Sequence, residues 1–328
     1  MVGGLAVLAK AADVFVVGAA RLAVILRLSP VVVGAVVVGF GTGAPELLVS
    51  SLAAARGSLD IAAGNVVGSN LANLTLVLGV AGILARPHTV PRVVRREAPL
   101  SLATVALAAL LLQGGLYRWE GVVLLAGLAG AVVIMLRASR DGDSAADEAA
   151  AEYLREVEER ARGRARHDRR SGASGRARVA ASPLRADVVK ITVGLLGTVA
   201  GAQLLVVGAQ GIATDLGLSG GFVGLTLVAV GTSLPELVTA IQSARRNETA
   251  LLAGNVLGSN VFNSTAVAGA AALIGPGPLT DPGLTVVAAS SMVVIAALAW
   301  LFLGYGGRLS RVDGAVLLAI YAATMPFV

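Results

Sequence analysis

Long apolar stretches recur along the 328-residue chain, and several exceed the roughly 18 residues that signal a transmembrane helix. Charged residues make up only 14% of the chain, whereas a soluble domain carries about 25%. The sequence therefore predicts an all-α, multi-pass protein of the cell (inner) membrane, surrounded by the lipid bilayer. The first apolar stretch has no basic region before it and no convincing cleavage site, so we expect a retained helix rather than a signal peptide.

Breaks at Gly, Pro and charge clusters divide the apolar residues into ten predicted spans in two groups of five. The first group, assigned to residues 1–137, covers 2–25, 30–55, 60–85, 98–116 and 119–137. The second group, assigned to residues 187–328, covers 187–214, 219–245, 249–275, 283–304 and 311–327. Residues 138–186 are first acidic and then basic, with Ser and Gly, and are predicted to form a flexible linker.

The distribution of Lys and Arg predicts the orientation of the spans. Basic residues concentrate in the linker and in alternate connections, at Arg21 and Arg27, Arg86 to Arg96, Arg245 and Arg246, and Arg308 and Arg311. The connections between these carry only Arg56 and Arg118. We therefore expect the linker to be cytoplasmic and both termini to face outward. The net charge of +6 follows from this pattern and does not indicate nucleic-acid binding.

An internal duplication relates the two groups of spans. Residues 41–79 and 231–269 align without a gap at a constant offset of 190, with 18 of 39 positions identical. The matches are mostly Gly, Asn, Ser, Thr, Pro and Glu, which helix packing alone does not require. Because each group has an odd number of spans, the second group must cross the membrane in the opposite sense to the first. Two inverted five-helix repeats with polar residues at membrane depth are the architecture of a secondary transporter.

The repeated motif GTGAPEL, which recurs as GTSLPEL, places a carboxylate inside an apolar span. Glu46 and Glu236 each lie four residues after a threonine, Thr42 or Thr232, so carboxyl and hydroxyl share one helical face. A proline precedes each glutamate and removes a backbone donor, which frees a carbonyl one turn earlier. These are hard oxygen ligands, suited to Na⁺, Ca²⁺ or Mg²⁺.

The second repeated motif, GNVVGSNLAN and GNVLGSNVFN, supplies amide and hydroxyl side chains that are spaced four residues apart. Asn65, Ser69 and Asn73 share one helical face, as do their second-repeat counterparts Asn255, Ser259 and Asn263. Together the halves would gather two carboxylates, whose charge of −2 balances one divalent cation. We therefore expect Glu46 to meet Glu236 across a calcium ion. The alternative is that these polar residues serve helix packing alone, with Glu46 a protonated structural acid.

At these residues the sequence resembles the cation/calcium exchanger superfamily, whose inverted repeats carry GTSxPE and GNxxGSN. The resemblance covers both apolar halves. Within the superfamily, the prokaryotic sodium/calcium exchangers are closest to this chain in size. It implies ten helices, four clustered cation sites that bind calcium and sodium alternately, and sliding of the first and sixth helices to change access. It implies no prosthetic group.

Carried over residue by residue, the resemblance implies metal ligands in both repeats. Those in the first repeat are Glu46, Thr42, Ser69 and Asn73, with the carbonyl of Gly39. Those in the second are Glu236, Thr232, Ser233, Ser259 and Asn263, with the carbonyl of Ala229.

Two positions depart from the family pattern. Gly43 replaces a serine, so one hydroxyl of a sodium site is missing, and this puts the number of sodium ions in doubt. Asn263 replaces the aspartate of many members, which argues against the potassium-dependent branch. If the hydroxyl at position 43 belongs to a sodium site, Gly43→Ser should strengthen sodium competition. If Gly43 is required for a tight helix contact, the substitution should impair transport instead.

Several functions are compatible with these motifs. Sodium/calcium antiport is the leading prediction, and calcium/proton antiport is the alternative because both glutamates can carry protons. A cation channel is a third possibility, although repeats predict alternating access. An intramembrane enzyme is not expected, because no Ser/His pair, HExxH or paired-Asp motif occurs in any predicted span.

Overall fold

The structure is a computed structural model that describes residues 2–26, 28–89, 91, 93–140, 184–215, 229–281 and 283–324. Within these ranges the chain is helical, and extended pairing is confined to two isolated bridges, His88 with Arg308 and Leu116 with Gly277. Most of the predicted linker, residues 141–183, lies outside the described residues. So do residues 216–228, which begin the predicted seventh span.

Twelve helices are formed by the described residues, and we number them in chain order. In the first half they are α1 (Val2–Leu26), α2 (Pro30–Thr42), α3 (Ala44–Ala55), α4 (Leu59–Ala85), α5 (93–111) and α6 (Arg118–Arg140). In the second half they are α7 (Leu184–Asp215), α8 (Ala229–Thr232), α9 (Leu234–Arg245), α10 (Thr249–Ile274), α11 (Gly283–Gly304) and α12 (Arg311–Thr324).

The predicted span 30–55 is broken into two helices. Helix α2 ends at Thr42 and α3 begins at Ala44, and their axes differ by 45°. Gly43, between them, has φ −76° and ψ 2°, and Pro45 occupies the first turn of α3. A proline is tolerated in that turn because its missing N–H would have no intrahelical partner there. Ser233 has the same backbone conformation between α8 and α9, with Pro235 in the first turn.

Five helical segments of the described residues are long and apolar enough to cross a membrane, and the bent pair α2–α3 makes a sixth. The five are Leu59–Ala85, Arg118–Arg137, Asp187–Leu204, Thr249–Ile274 and Gly283–Gly304. The remaining predicted spans fall on α1, α5 and α12 and on 219–245, part of which is not described. The total of ten spans therefore stays a prediction.

Burial separates central helices from peripheral ones. Within their most apolar windows, α4 and α10 are 78% and 83% buried inside the protein, whereas α6 and α7 are each 28% buried. The outer faces of α6 and α7 carry large exposed apolar residues, among them Val122, Ile134, Val193 and Leu196. Such a surface is suited to lipid rather than to water.

Glycines let the central helix α10 and the helix α2 approach each other closely. A Cβ built on Gly254 would lie 2.1 Å from the carbonyl oxygen of Val31, and one on Gly258 would lie 2.3 Å from Cα of Ala35. Neither position has room for a side chain. The GxxxG spacing of Gly254 and Gly258 thus serves helix contact, as it does in other membrane proteins.

Contacts between the helix connections fall into two sets, according to the charge of the connections that they join. Arg21, near the end of α1, pairs with Asp187, near the start of α7 (3.5 Å), and His88 bridges Arg308. Leu116 bridges Gly277, and the backbone N–H of Thr280 donates to the Asp60 carboxylate (2.8 Å). The first set belongs to the Arg-rich connections and the second to the Arg-poor ones.

Helix bounds repeat along the chain at the offset found in the sequence. Helices α3 and α9 begin at residues 44 and 234, and α4 and α10 are interrupted by π-helical turns that begin at Asn73 and Asn263. Further π-helical turns begin at Val93 and Gly283, at the start of α5 and α11. Each pair of starting residues differs by 190, so the duplication extends from residue identity to backbone geometry.

Candidate cation site

The two motif glutamates lie in the first turns of α3 and α9, directly after the helix breaks. Both side chains are 1% exposed. The helix dipole favours negative charge in a first turn, so the N-terminal ends of α3 and α9 both stabilise a carboxylate at these positions. The two carboxylates are close enough for their charges to interact, although 190 residues separate them.

Hydroxyl groups of each half face the carboxylate of the other half. Ser233 donates to Oε1 of Glu46 at 3.5 Å, and the hydroxyl of Thr232 lies beside the same carboxyl. The Thr42 hydroxyl lies beside Glu236 and donates to the carbonyl of Val38 at 3.0 Å. The structure therefore brings together the carboxylates and hydroxyls that the motifs singled out.

A backbone carbonyl joins this cluster from α2. The Gly39 carbonyl ends a π-helical turn and accepts hydrogen bonds from the Ser259 hydroxyl (3.3 Å) and the Gly43 N–H (3.1 Å). Ala229, the equivalent position of the second repeat, begins α8, and the residues before it lie outside the described part of the chain. The predicted carbonyl ligand of the first repeat is thus placed against Ser259.

Asn73 and Asn263 each begin a π-helical turn in a central helix, and both are fully buried. The turn at Asn73 contacts α9, which carries Glu236, and the turn at Asn263 contacts α3, which carries Glu46. π-Helical turns are rare and occur frequently at functional sites. Here each turn packs against the helix that carries the motif glutamate of the other half.

Many polar atoms of the cluster make no hydrogen bond within the described residues. They are Oε2 of Glu46, both carboxylate oxygens of Glu236, the Ser69 hydroxyl and both amide atoms of Asn73 and Asn263. Buried polar groups in folded proteins are nearly always hydrogen-bonded, because an unpaired one costs about 1–3 kcal/mol. Carboxylate, hydroxyl and amide oxygens without a hydrogen-bond partner are the kind of donor that hard cations prefer.

Two further asparagines hold the helices of the glutamates through their amide nitrogens, and Oδ1 of Asn255 makes no hydrogen bond within the described residues. The Asn65 amide nitrogen donates to the main-chain carbonyl of Glu46 (3.3 Å) and to the Ser50 hydroxyl (2.9 Å). Asn255 donates likewise to the Glu236 carbonyl (3.4 Å) and to the Thr239 hydroxyl (3.1 Å). Each asparagine therefore fixes the short helix that carries the glutamate against α4 or α10.

Two contacts near the cluster were not anticipated from the sequence. The Ser264 hydroxyl donates to Oδ1 of Asn70 at 3.3 Å and joins α10 to α4. The ring of Phe262 packs on that of Phe40, with centroids 4.8 Å apart. The repeat could have indicated Asn70 and Asn260, but nothing in it indicates the aromatic pair, because neither phenylalanine has an aromatic counterpart in the other repeat.

The structure favours the tight-contact interpretation of Gly43. A Cβ built at this position would lie 2.8 Å from Cδ1 of Phe262 and 3.2 Å from the Gly39 carbonyl oxygen. The first is shorter than real Cβ contacts allow, so a serine here would displace the ring. The expectation that Gly43→Ser alone adds a ligand hydroxyl has no support in this geometry.

Apolar helices, a duplicated fold and two buried carboxylates at helix breaks are together typical of a secondary transporter of the membrane. Residues 1–137 and 187–328 match the family model described as sodium/calcium exchanger protein. The chain belongs to that family.

Relatives of this family resemble the chain over nearly its whole length. It is 34% identical to the putative antiporter CaxA of Alkalimonas amylolytica, with 97% of this chain and 94% of the relative covered. It is 29% identical to the sodium/calcium exchanger MaX1 of Methanosarcina acetivorans, with 98% and 95% covered.

Solved structures of the sodium-calcium exchanger NCX_Mj share the fold. One, soaked with sodium and calcium, superposes with a TM-score of 0.79 at 28% identity and covers 98% of this chain and 95% of its own. Another, soaked with sodium and strontium, gives 0.80 at 29% identity with 99% and 96% covered. The chain is accordingly a multi-pass membrane antiporter of the cation/calcium class. Its family consists of transporters of Na⁺ and Ca²⁺ rather than of enzymes.

Proposed function

We propose that this protein exchanges sodium for calcium across the cell membrane, with both ions bound in turn between Glu46 and Glu236. One observation carries the proposal: two buried carboxylates from the two halves lie close together, and three of their four oxygens make no hydrogen bond to a described residue. Two ionised carboxylates carry the charge that one calcium ion neutralises. Without a cation, two such charges in a low-dielectric site would repel each other strongly.

The proposed ligand shell is built from both repeats around the carboxylates. It comprises the hydroxyls of Thr42, Ser69, Thr232, Ser233 and Ser259, the amides of Asn73 and Asn263, and the carbonyls of Gly39 and Ala229. All the described side chains among these are buried. Calcium takes six to eight oxygen ligands, and this set is large enough to supply them.

We further propose that the two halves form inverted five-helix repeats with ten spans and that the site lies near the middle of the membrane. The helix bounds that recur at an offset of 190 support the duplication. The Arg21–Asp187 and His88–Arg308 contacts each join one Arg-rich connection to another. These contacts support the placement of the Arg-rich connections on one side, the cytoplasmic side. On this topology the linker 138–186 is cytoplasmic, both termini are outside, and access alternates between the two sides.

Calcium/proton antiport is the second candidate. The observation that favours it is Glu236, whose two buried oxygens accept no hydrogen bond from the described residues and are therefore able to hold a proton. Two protons bound to the glutamates would neutralise the charge of the site, just as two bound sodium ions would. A cation channel is less consistent with a buried site formed between two repeats.

Uptake of radioactive calcium into proteoliposomes tests these alternatives. Vesicles loaded with sodium and diluted into sodium-free medium should take up calcium, and a proton gradient of the same size should have little effect. Choline-loaded vesicles and protein-free liposomes are the controls. Uptake that is driven by a proton gradient but not by a sodium gradient would show that protons, not sodium ions, are the coupling ion. Uptake that needs neither gradient and does not saturate would indicate a channel.

A further inference from the structure

Two of the Arg-rich connections pair with each other in a short extended ladder. His88 and Arg308 form an antiparallel bridge, and the backbone N–H of Thr89 donates to the Gly307 carbonyl at 2.9 Å. The turn that leads from α11 into this ladder contains Gly306 and Gly307, whose φ values of 75° and 69° favour glycine. The ladder therefore holds the connection between α4 and α5, in the first half, against the connection between α11 and α12, in the second.

The start of α5 joins the same surface. Trp300, near the end of α11, donates from Nε1 to the carbonyl of Val94 at 2.8 Å, and a Cβ built on Gly304 would lie 3.3 Å from Cγ1 of Val94. Arg95 and Arg96 occupy the next two positions of α5, and both are exposed. The end of α11 and the start of α5 are thus fixed side by side.

This part of the protein carries an excess of positive charge. Five exposed arginines, which we call the basic surface, belong to it: Arg86, Arg95, Arg96, Arg308 and Arg311. None of them forms an ion pair with a described residue. Of the acidic residues next to them in sequence, Glu97 is buried, and Asp313 accepts the Ser310 N–H at the start of α12. The described residues therefore leave the charge of the basic surface without a counter-charge.

The basic surface lies where two spans end. Arg86 directly follows the span Leu59–Ala85, and Tyr305 directly follows the span Gly283–Gly304. Tyr305 is 86% exposed, and Trp300 lies in the same end of α11. Tryptophan and tyrosine are typical of the level of the lipid headgroups, and arginines near the end of a span extend their charged groups to that level. The arginines are accordingly placed at the depth of the lipid phosphates.

We propose that the basic surface binds the phosphate groups of anionic phospholipids in the membrane leaflet on the Arg-rich side. A guanidinium group donates two parallel hydrogen bonds to phosphate oxygens, and an anionic headgroup supplies the net negative charge that the surface lacks. The Arg-poor connections carry only Arg56 and Arg118, so the preference should be confined to one side. No residue of the candidate cation site belongs to the basic surface, and the inference is independent of the coupling ion.

Tryptophan fluorescence of the full-length protein in vesicles tests this inference. The chain has two tryptophans, and Trp119→Phe leaves Trp300 as the single reporter beside the basic surface. Every vesicle contains about one phosphatidylglycerol to four phosphatidylcholine molecules, and so has the same surface potential. Bromine, which quenches tryptophan at short range, is carried near the headgroup either by the phosphatidylglycerol or by an equal amount of the phosphatidylcholine. We expect phosphatidylglycerol to be enriched at Trp300 about fivefold, the ratio that one arginine gives near an anionic surface. Equal quenching by the two lipids would overturn the inference.

Substitution of the arginines shows whether the basic surface causes the enrichment. In the Trp119→Phe protein, Arg95→Gln, Arg96→Gln and Arg308→Gln together should lower it at least about twofold, because three charges are removed. Arg118→Gln, an exposed arginine of the Arg-poor side, is the matched control and should leave the enrichment unchanged. Enrichment that persists in the triple variant would contradict the assignment of these arginines.

The second tryptophan provides a test that needs no arginine to be replaced. Trp300→Phe leaves Trp119, which is 60% exposed at the start of α6 on the Arg-poor side, and we expect a clearly smaller preference for phosphatidylglycerol there. A preference as large as that at Trp300 would mean that the basic surface has no special affinity. If a preference at Trp300 arises only after residues 141–159 are deleted, that acidic stretch of the linker rather than lipid covers the surface, and the inference fails.

Discussion

The Ser233 hydroxyl donates to Oε1 of Glu46, 187 residues earlier in the chain, across the boundary between the two halves. The contact is long, at 3.5 Å, and the second oxygen of Glu46 makes no hydrogen bond to a described residue. A site assembled from both halves therefore depends on their relative position. This dependence is what an alternating-access transporter requires, because movement of one half against the other changes the ligand shell.

Replacement of either motif glutamate should abolish calcium transport. Glu46→Gln and Glu236→Gln each remove one of the two charges that balance calcium, at nearly constant volume. We expect uptake to fall to the level of protein-free liposomes, while the protein still elutes as a single species in detergent. Glu120→Gln is the matched control, because Glu120 is also buried but accepts the Tyr117 N–H at the start of α6. Uptake retained by either site variant, or lost in the control, would argue against the assignment.

Asn255→Ala should weaken the site without removing it. The substitution deletes the hydrogen bonds from the Asn255 amide to the Glu236 carbonyl and the Thr239 hydroxyl. We expect the free energy of unfolding to fall by about 1–3 kcal/mol, since the buried Glu236 carbonyl and Thr239 hydroxyl each lose a hydrogen-bond donor. The calcium concentration for half-maximal uptake should rise several-fold, with the maximal rate largely kept. Loss of the maximal rate at saturating calcium would instead place this amide among the ion ligands.

The packing of α1 against α7 gives a prediction about glycine. A Cβ on Gly194 would lie 2.7 Å from the backbone nitrogen of Phe15, so Gly194→Ala should separate the two helices. Overpacking of this kind costs about 1–3 kcal/mol. We expect a lower midpoint of thermal unfolding in detergent and slower transport.

Gly130→Ala is the control for that experiment. Gly130 lies on the exposed face of α6, and no described atom is within 4 Å of its built Cβ. An alanine there should be neutral or stabilise the helix by up to about 1 kcal/mol. If the two substitutions had equal effects on thermal unfolding and transport, neither property would depend on the close approach of α1 and α7.

The linker 138–186 should be accessible from the cytoplasm only. Its many arginines, together with the neighbouring Arg-rich connections, favour retention on that side. Protease added to inside-out vesicles should cleave the chain within the linker, and protease added to intact cells should not. Cleavage in intact cells would show that the linker faces outward and that the proposed orientation is wrong. Deletion of the middle of the linker should leave calcium uptake largely unchanged, because no predicted ligand lies in it.

Several helix bounds could be predicted from sequence because breaking residues mark them. The predicted spans 60–85, 249–275 and 283–304 correspond to helices Leu59–Ala85, Thr249–Ile274 and Gly283–Gly304. Pro45 and Pro235 likewise indicated disturbed backbone beside the glutamates, where the structure has complete helix breaks. The exact break at Gly43 was not evident, since a proline in a helical pattern is compatible with a kink or an end.

Other features were not predictable because no residue type encodes them. The π-helical turns at Asn73 and Asn263 arise from one extra residue in the hydrogen-bond ladder, which leaves no compositional signal. The contact of Phe262 with position 43 joins residues that are far apart in sequence and unlike their repeat equivalents. For this reason the repeat alone suggested that a serine would fit at position 43.

Equilibrium binding of calcium to the purified protein tests the central claim, that Glu46 and Glu236 form one site. Wild type, Glu46→Gln, Glu236→Gln and the double variant should be titrated with radioactive calcium in detergent without sodium. A shared site predicts one high-affinity calcium ion for wild type and none for any of the three variants. If each single variant retains a high-affinity ion and only the double variant loses all binding, the carboxylates serve separate sites and the account is contradicted.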